Sequence, residues 1–272
     1  MAVNLRNSII SSLNTGLRQS VTGGPALWTP ANLSGLLLWL DAADASTITL
    51  DVSKVSQWSD KSGNGNHAVQ STASSRPSYG APTINSKNVI NFASGKFMIT
   101  GARPSLNRTI AAVVQYSTVS GLKVIMGARR STNERSYLGV NGGVVRPGVA
   151  EQATLDGSTG ISVGTTYTQI LKHGQGAVNK EVHHYLDGTE DEDTTFGGDI
   201  GTTNRYFIGG FNDKGTIHPT SKYSGRMAEL VITDSMMSDS DREKLEGYFA
   251  HNWGHTASLP ADHPYKNSAP KV

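Results

Sequence analysis

The sequence contains no cysteine, which excludes disulfide bonds and metal sites built on thiolates. We therefore expect a protein made in a reducing cytoplasm. Charge is also scarce and nearly balanced, because 24 Lys and Arg residues face 22 Asp and Glu residues, for a net charge of +2. Such a chain has no electrostatic basis for binding nucleic acid or an anionic membrane surface.

Long hydrophobic runs are missing as well. The apolar run Leu36–Leu40 has five residues, whereas a membrane-spanning helix needs about 20. The first residues carry a charge at Arg6 but no continuous apolar segment, so we expect no secretory signal. The chain also lacks a repeat of fixed period. We therefore expect neither a membrane partner nor a repeat architecture.

Glycine is abundant, with 30 residues, and Ser, Thr and Asn are frequent. This composition is typical of a turn-rich all-β protein. From Trp28 onward, short stretches with period-two alternation are separated by turn signals, which predicts a single β-sandwich. The clearest predicted strands are Asn88–Phe92, Lys96–Ile99, Thr109–Tyr116, Leu122–Ala128 and the hairpin-like pair Tyr167–Lys172 and Glu181–Leu186.

The stretch from Leu36 to Gln70 organises the predicted fold. Leu36–Leu40 is bounded by glycine and by the polar sequence DAAD, which predicts a strand buried on both faces. Trp58 closes a second short strand, and Ser59–Asn66 packs eight turn-forming residues together. An extended pattern resumes at His67.

A strand ending in DAAD and followed by WSDKSGNGNHA resembles the opening of laminin-G-like, or concanavalin A-like lectin/glucanase, domains. The segments Ile208–Gly210, Gly225–Ile232 and Ser238–Gly254 resemble the last strands and the closing helix of that family. The resemblance covers roughly residues 28 to 265 and implies an antiparallel jelly roll. Because this fold serves many unrelated tasks, the resemblance does not fix a function.

Residues 1–27 differ from the rest of the chain. Leu5, Ile9, Leu13 and Leu17 recur every four residues with polar residues between them, which predicts a short amphipathic helix. Gly23-Gly24-Pro25 ends this helix and forms a hinge. We expect these four apolar residues to anchor the chain on a partner or to lie back on the protein's own domain, which spans 28–272. Both alternatives stay open here.

A second helix is predicted near the C-terminus. Ser238 is the expected N-cap, with Asp241 at the capping-box position. Gly254 is the expected C-terminal stop. One face of the helix carries Leu245, Tyr248, Phe249 and Trp253, so we expect it to be packed against the sandwich. The tail after Leu259 is expected to run extended.

Candidate catalytic and metal-binding patterns are weak. Glycosidases use two carboxylates about 5 Å or more apart, and the E-x-D-x-x-E spacing of related glucanases is absent. The cluster Glu190–Asp193 is interpreted as a solvated hairpin loop. His251 and His255 have the spacing of a helical zinc pair, but Gly254 is expected to end the helix between them. His183 and His184 are neighbours on a strand and cannot converge on one ion.

Calcium is the more serious metal hypothesis, because many laminin-G-like and lectin domains carry it. Oxygen-bearing side chains crowd the early loops at Asp41, Asp44, Asp60 and Asn64, and calcium takes about six to eight oxygens. The alternative is that these side chains make Asx turns with their own backbone. We expect no cofactor, with calcium in these loops kept as a possibility to test.

Glycan binding requires exposed aromatic rings flanked by planar polar groups. The segments containing Arg135 and Tyr137, and Arg205 and Tyr206, have this composition and are the candidate glycan-binding residues. The alternative is that these residues pack at a sheet edge.

Taken together, the sequence predicts an all-β protein with an antiparallel β-sandwich of the concanavalin A-like jelly-roll type, a short N-terminal helical arm and one C-terminal helix. The resemblance points to virion proteins of tailed bacteriophages. It implies a non-enzymatic capsid decoration or appendage protein, assembled in the host cytoplasm and exposed on the particle. Other virion proteins, bound through the arm, and further copies of the chain are the expected partners. A glycan-binding adhesin and a polysaccharide-cleaving glycosidase are the alternatives.

Overall fold

The computed structural model describes residues 25–93, 95–131, 134–150, 155–175, 180–198, 200 and 204–272. Its strands in chain order are β1 (Leu36–Asp41), β2 (Ile48–Asp51), β3 (Lys54–Trp58), β4 (Ala68–Val69), β5 (Ser78–Ile84), β6 (Lys87–Phe92), β7 (Met98–Thr100), β8 (Arg108–Tyr116), β9 (Leu122–Ser131), β10 (Glu134–Asn141), β11 (Val144–Val145), β12 (Gly148–Val149), β13 (Thr166–Gln175), β14 (Lys180–Leu186), β15 (Thr189–Thr195), β16 (Phe207–Ile208), β17 (Gly210–Asp213), β18 (Thr216–Ile217) and β19 (Gly225–Thr233). The helical elements of these ranges are the α-helix α1 (Asp239–Trp253) and the 3₁₀ turns Pro30–Asn32, Ala45–Thr47, Ala73–Ser75 and Thr256–Ser258.

The first layer of the fold is antiparallel. Its strand order is β15–β14–β13–β8–β19. On the far side of β19, β1 pairs with the C-terminal half of the strand and β6 with the N-terminal end. β5 follows β6 at the edge. The N-terminal end of β19 therefore lies between β6 and β8, and this position sets the location of the candidate site described below.

The second layer runs in the order β2–β3–β4–β7–β16–β9–β10. β11 and β12 pair with β10, and β17 runs parallel to β9 and pairs with β18. One pairing, between Lys54 of β3 and Ser78 of β5, joins the two layers into a continuous ladder.

The main core lies between the two layers. Leu40, Ile110 and Leu171 of the first layer share one fully buried cluster with Trp58 and Met126 of the second. The apolar residues of the alternating pattern that predicted these strands therefore lie on the face that points into the sandwich. The all-β fold, its antiparallel sandwich and its C-terminal helix are confirmed.

Helix α1 covers part of the outer face of the first layer. The Ser238 hydroxyl caps it by accepting a hydrogen bond from the Asp241 amide at 3.2 Å. Gly254 ends it in the left-handed region, with φ of 75°. Leu245, Phe249 and Trp253 are buried against strand residues of the outer face, as the sequence predicted. No helix within the described ranges has the length and apolar character needed to cross a bilayer.

One buried carboxylate joins the helix to the sheet. Glu229 of β19 is fully buried and accepts hydrogen bonds from two indoles, Trp39 Nε1 and Trp253 Nε1, both at 2.7 Å. The Tyr248 hydroxyl donates at 3.1 Å and the Asn252 amide at 3.2 Å. Desolvation, together with the nearby Asp41 charge, raises the pKa of the Glu229 carboxyl to about 7. This group therefore holds three helix residues and one strand residue at a single point.

The two ends of the described chain meet beside this helix. The Trp28 amide donates to the Pro270 carbonyl at 3.0 Å, and the Val272 amide donates to the Ala26 carbonyl at 2.9 Å. The C-terminal tail therefore pairs with the segment that opens the domain. The four residues predicted to anchor the arm lie outside the described residues. They are Leu5, Ile9, Leu13 and Leu17.

One local prediction is wrong. Glu190–Asp193 does not form a hairpin loop, because these residues belong to β15, which pairs along β14 at the edge of the first layer. An edge strand exposes much of its length to water, so a charged sequence is compatible with a strand there. Composition alone did not distinguish the two.

The Glu229 carboxyl gives the fold a defined pH dependence. Its pKa rises from 4.5 to about 7 on folding, so between these values the unfolded chain releases a proton that the folded protein keeps. The stability contributed by this group is therefore complete below pH 4.5 and is lost as the pH rises towards 7. We expect the difference in unfolding free energy between wild type and Glu229→Gln to fall by up to about 3 kcal/mol over this window.

Urea unfolding of both proteins at several pH values measures this difference, and groups common to both cancel. A difference that stays constant with pH would contradict the account.

Candidate functional site

The outer face of the first layer has an open end that helix α1 does not cover. Four side chains there, Asn91, Arg226, Gln115 and Thr166, form a row across β6, β19, β8 and β13. Arg226 is in register with both Asn91 and Gln115, and Gln115 is in register with Thr166. We call this set the polar row.

The strand period fixes the outward direction of the polar row. The neighbours Phe92, Met227, Tyr116 and Tyr167 belong to the core between the layers. Because successive side chains of a strand point to opposite faces, the polar row points away from that core. All four of its side chains are half-buried.

Hydrogen bonds within the polar row hold its planar groups in place. Arg226 Nη1 donates to Gln115 Oε1 at 2.6 Å, and Gln115 Nε2 donates to Thr166 Oγ1 at 2.8 Å. Asn91 Nδ2 donates to the Gly80 carbonyl at 3.3 Å. The polar groups are thus oriented before any ligand arrives, which lowers the entropic cost of binding.

Three buried aromatic rings support the polar row from the core side. Tyr223 packs edge-on against Phe92 and Tyr116, with ring centroids 5.9 and 5.4 Å apart. Its hydroxyl lies 2.7 Å from the carbonyl oxygens of both Gln115 and Arg226. Burial raises the pKa of Tyr223, so this phenol stays neutral. A Cβ on Gly225 would lie 2.0 Å from the Gln115 carbonyl, so the two strands approach too closely for a side chain at this position.

Two shallow cavities meet at the polar row, one of about 300 Å³ and one of about 180 Å³. Arg226 and Ser117 line both. The larger extends past Asn91 to Ser78 and Pro82, and the smaller extends past Gln115 to Val163. The remaining lining includes Ser224, Gly225 and Gly164 together with Phe92, Ala93 and Tyr116. Arg226 is the only charged residue among these lining residues. We call the two cavities together the Arg226 cleft.

A third cavity, also of about 300 Å³, lies where the described chain begins, between Trp28 and Tyr248. Lys87 Nζ lines it but donates to the Asn252 carbonyl at 2.8 Å. The Trp28 ring packs edge-on against Tyr248, with centroids 6.2 Å apart. This cavity has aromatic walls, but the Lys87 ammonium already donates a hydrogen bond to a carbonyl at the C-terminal end of α1.

The candidate glycan-binding residues lie elsewhere. The Tyr137 side chain is buried against Phe211, with ring centroids 5.1 Å apart, and Tyr206 is fully buried. Neither ring presents a face to solvent on which a sugar stacks. Arg135 Nε donates to the Ala150 carbonyl at 3.1 Å, and Arg205 is exposed. The expectation of exposed aromatic rings is therefore wrong at both positions, because a polar residue beside a tyrosine does not reveal which face of the sheet the ring occupies.

A serine and a histidine that are distant in sequence meet inside the core. Ser136 Oγ lies 3.2 Å from His173 Nε2 and 2.9 Å from the Tyr206 hydroxyl, and His173 Nδ1 lies 2.8 Å from the Leu106 carbonyl. All three side chains are fully buried, and burial lowers the pKa of His173 to about 4. The group is closed to substrate, so it links two sheet segments rather than forming a nucleophilic site.

The segment Gly160–Gly164 has the letters of a G-x-S-x-G nucleophile motif. That motif requires a sharp turn between a strand and a helix, with a histidine beside the serine. Here the Ser162 amide donates to the Tyr167 hydroxyl at 2.9 Å, and strand β13 follows instead of a helix. The segment is a loop at the margin of the Arg226 cleft and carries no such chemistry.

The two members of each histidine pair have different partners. His251 contacts the Tyr265 carbonyl at 2.9 Å, whereas His255 contacts Thr168 Oγ1 at 2.8 Å. His184 is buried in the core, while its neighbour His183 points outward. At the layer edge, His183 Nδ1 lies 2.9 Å from Glu190 Oε1 and 3.3 Å from Asp193 Oδ1, a grouping that appears only once β14 and β15 are paired.

The early acidic loops make Asx turns and ion pairs. Asp60 accepts hydrogen bonds from the amides of Trp39, Ser62 and Asn66 at 2.9 to 3.0 Å. Lys61 Nζ lies 3.0 Å from Asp41 Oδ2 and 2.9 Å from Asp44 Oδ2. A lysine ammonium therefore occupies the position between these two carboxylates that a calcium ion would need.

Comparisons with known proteins find similarity in structure but none in sequence families. No family model matches the sequence, and no curated protein matches it. Domain 4 of AbnA, a GH43 extracellular arabinanase from Geobacillus stearothermophilus solved with arabinotriose, is similar at a TM-score of 0.56 and 14% identity, over 78% of this chain and 98% of that domain.

Two further solved structures are similar. An arabinofuranosidase complexed with arabinofuranosyl-α-1,2-xylobiose has a TM-score of 0.55 and 13% identity, over 79% of this chain and 59% of its own. Trypanosoma rangeli sialidase in complex with 2,3-difluorosialic acid has a TM-score of 0.54 and 15% identity, over 85% of this chain and 36% of its own. At such identities the likeness shows the fold alone, which is a β-sandwich of the lectin/glucanase-like kind.

Calcium is not expected to stabilise this protein, because Lys61 and backbone amides already satisfy the carboxylates of the early loops. We expect the melting temperature to be unchanged by millimolar calcium or by a chelator. An ion at 100 times its dissociation constant would add about 2.7 kcal/mol of stability. A rise in melting temperature that the chelator reverses would contradict the expectation.

Proposed function

We propose that this protein is a non-enzymatic glycan-binding module and that a saccharide binds across the polar row in the Arg226 cleft. The observation that carries the proposal is the register of four planar or hydroxyl side chains on four adjacent strands. Sugars present arrays of hydroxyl groups that both donate and accept hydrogen bonds. A rigid row of amide, guanidinium and hydroxyl groups on an open sheet face matches that chemistry.

Similar folds support the proposal. The arabinanase domain that matches over most of its length is described in complex with arabinotriose, and two other similar structures contain sugar ligands. Those ligands belong to those proteins. Only the arabinanase domain, matched over 98% of its own length, is described with a saccharide in complex with the matched sandwich itself.

The lining of the Arg226 cleft favours binding over hydrolysis. Glycosidic bond cleavage needs a carboxylic acid and a second carboxylate about 5 to 9.5 Å apart. No lining residue of this cleft carries a carboxylate. A polysaccharide-cleaving activity would therefore have to arise away from the polar row.

We further propose that the glycan-binding module is a virion accessory protein of a tailed bacteriophage, either a capsid decoration or an appendage protein. It rests on the DAAD and WSDKSGNGNHA resemblance and on the four-residue spacing of Leu5, Ile9, Leu13 and Leu17. In this proposal the arm anchors the module on the particle and brings several copies together, and the polar row faces outward. Several weak sites on one particle would bind a glycan surface with high avidity.

The polar row gives a direct test of glycan binding. We expect the wild-type protein to bind members of a panel of neutral and acidic oligosaccharides without releasing reducing ends. Asn91→Ala and Gln115→Ala are each expected to weaken binding about tenfold, since each removes hydrogen bonds to sugar hydroxyls. Isothermal titration calorimetry measures the dissociation constants of the wild type and of both variants.

Asn88→Ala is the matched control, because Asn88 is an exposed residue of the same strand that lies outside the cleft. It is expected to bind like wild type. Glycan binding that survives both cleft substitutions would refute the proposed site. Reducing-end release that disappears on mutation of a single Asp or Glu would refute the proposed non-enzymatic role.

The arm makes a separate prediction. Deleting residues 1–24 is expected to leave the melting temperature nearly unchanged, because the domain ends are closed by the pairing of Ala26 and Trp28 with the C-terminal tail. The same deletion is expected to abolish oligomerisation or incorporation into particles. Calorimetry and light scattering measure the two outcomes. Normal assembly of the truncated protein, or its unfolding, would overturn the anchoring role.

A further inference from the structure

Arg226 differs from most of the other arginines whose side chains are buried or half-buried. Four of those arginines each pair with a carboxylate: Arg76 with Asp51, Arg129 with Asp213, Arg146 with Asp156 and Arg242 with Glu246. Two more, Arg108 and Arg135, donate to the backbone carbonyls of Arg103 and Ala150. Among the described residues, Arg226 has no carboxylate within ion-pair distance and donates one side-chain hydrogen bond, to Gln115.

A guanidinium carries five N–H donors in a rigid fork. The bond to Gln115 holds the Arg226 fork in the polar row, and the guanidinium donates no other side-chain hydrogen bond among the described residues. An arginine in this state is complementary to a carboxylate, which accepts two parallel hydrogen bonds from it.

The surroundings of Arg226 also favour an anion. The polar lining of the two cavities that meet at this residue includes Asn91, Gln115, Ser117 and Ser224, and none of the described lining residues is acidic. Among these lining residues, a negatively charged ligand therefore meets one positive charge and no carboxylate. The neighbouring amides and hydroxyls are placed to pair with the hydroxyl groups that flank a carboxylate on a sugar ring.

We infer that the Arg226 cleft selects acidic saccharides, with the Arg226 guanidinium binding the sugar carboxylate in a two-point ion pair. The inference rests on the proposed glycan-binding function and names its ligand class. Free anions share the carboxylate chemistry but lack the hydroxyls, so they bind this cleft far more weakly than an acidic sugar does.

Matched pairs of probes test the selectivity. Each pair compares an acidic saccharide with a neutral counterpart: trigalacturonate with its methyl ester, and 3′-sialyllactose with lactose. We expect the wild-type protein to bind the acidic member at least about tenfold more tightly in one or both pairs, as charge-assisted hydrogen bonds allow. Raising the salt concentration should reduce this preference. Sodium acetate and inorganic phosphate serve as the free-anion arm and should not compete at equal concentration.

Three arginine variants localise the effect. Arg226→Gln removes the charge while keeping a planar amide, and it should abolish the preference while retaining residual binding to the neutral member. Arg226→Lys should restore part of the preference, since it returns the charge without the fork. Arg103→Gln removes the same charge from an exposed position between β7 and β8, and it should bind like wild type. Thermal melts of all three variants establish that each is folded.

The outcomes separate this inference from the function it rests on. Equal or tighter binding of the neutral members, lost in Asn91→Ala, would overturn the acidic selectivity and leave glycan binding intact. A preference that persists in Arg226→Gln, or disappears in Arg103→Gln, would place the anion site elsewhere. Absence of binding to every saccharide would overturn both the inference and the proposed function.

Discussion

The buried carboxylate of Glu229 is the constraint on which the outer face of this sandwich depends. It is fully buried and accepts hydrogen bonds from donors on β1 and α1, and these bonds fix the position of the helix on the sheet. Removing one partner from a buried charged group leaves unpaired polar atoms, and this makes other positions of the helix costly. The helix therefore covers one end of the outer face and leaves the other end, with the polar row, open to solvent.

The open end is held together by contacts of its own, although none of the described helices packs on it. Tyr223 reaches the backbone of both β8 and β19, and Gly225 lets those strands approach closely. Side chains on such strands are positioned more firmly than side chains on loops, which suits recognition of a flexible, hydroxyl-rich ligand. The hydrogen bond to Gln115 holds the Arg226 guanidinium in the polar row.

Much of the fold could be predicted from sequence because its signals are local. The run Leu36–Leu40 and the Ser238 and Gly254 caps each act over a few neighbouring residues. The polar row could not be predicted in this way. Asn91, Gln115, Thr166 and Arg226 are ordinary outward residues of four separate strands, and only the pairing of β6, β19, β8 and β13 aligns them. Tyr137 and Tyr206 failed as candidates for the converse reason, since local composition suggested exposure and the tertiary packing buried them.

A crystal structure of the protein with the tightest-binding saccharide tests the central claim most directly. The account predicts sugar density lying across the polar row on the open end of the first layer, with its carboxylate against the guanidinium of Arg226 and its hydroxyls within hydrogen-bond distance of Asn91 or Gln115. Density on the outer face of the second layer beside Arg135, or at the acidic edge beside Glu190 and Asp193, would contradict it.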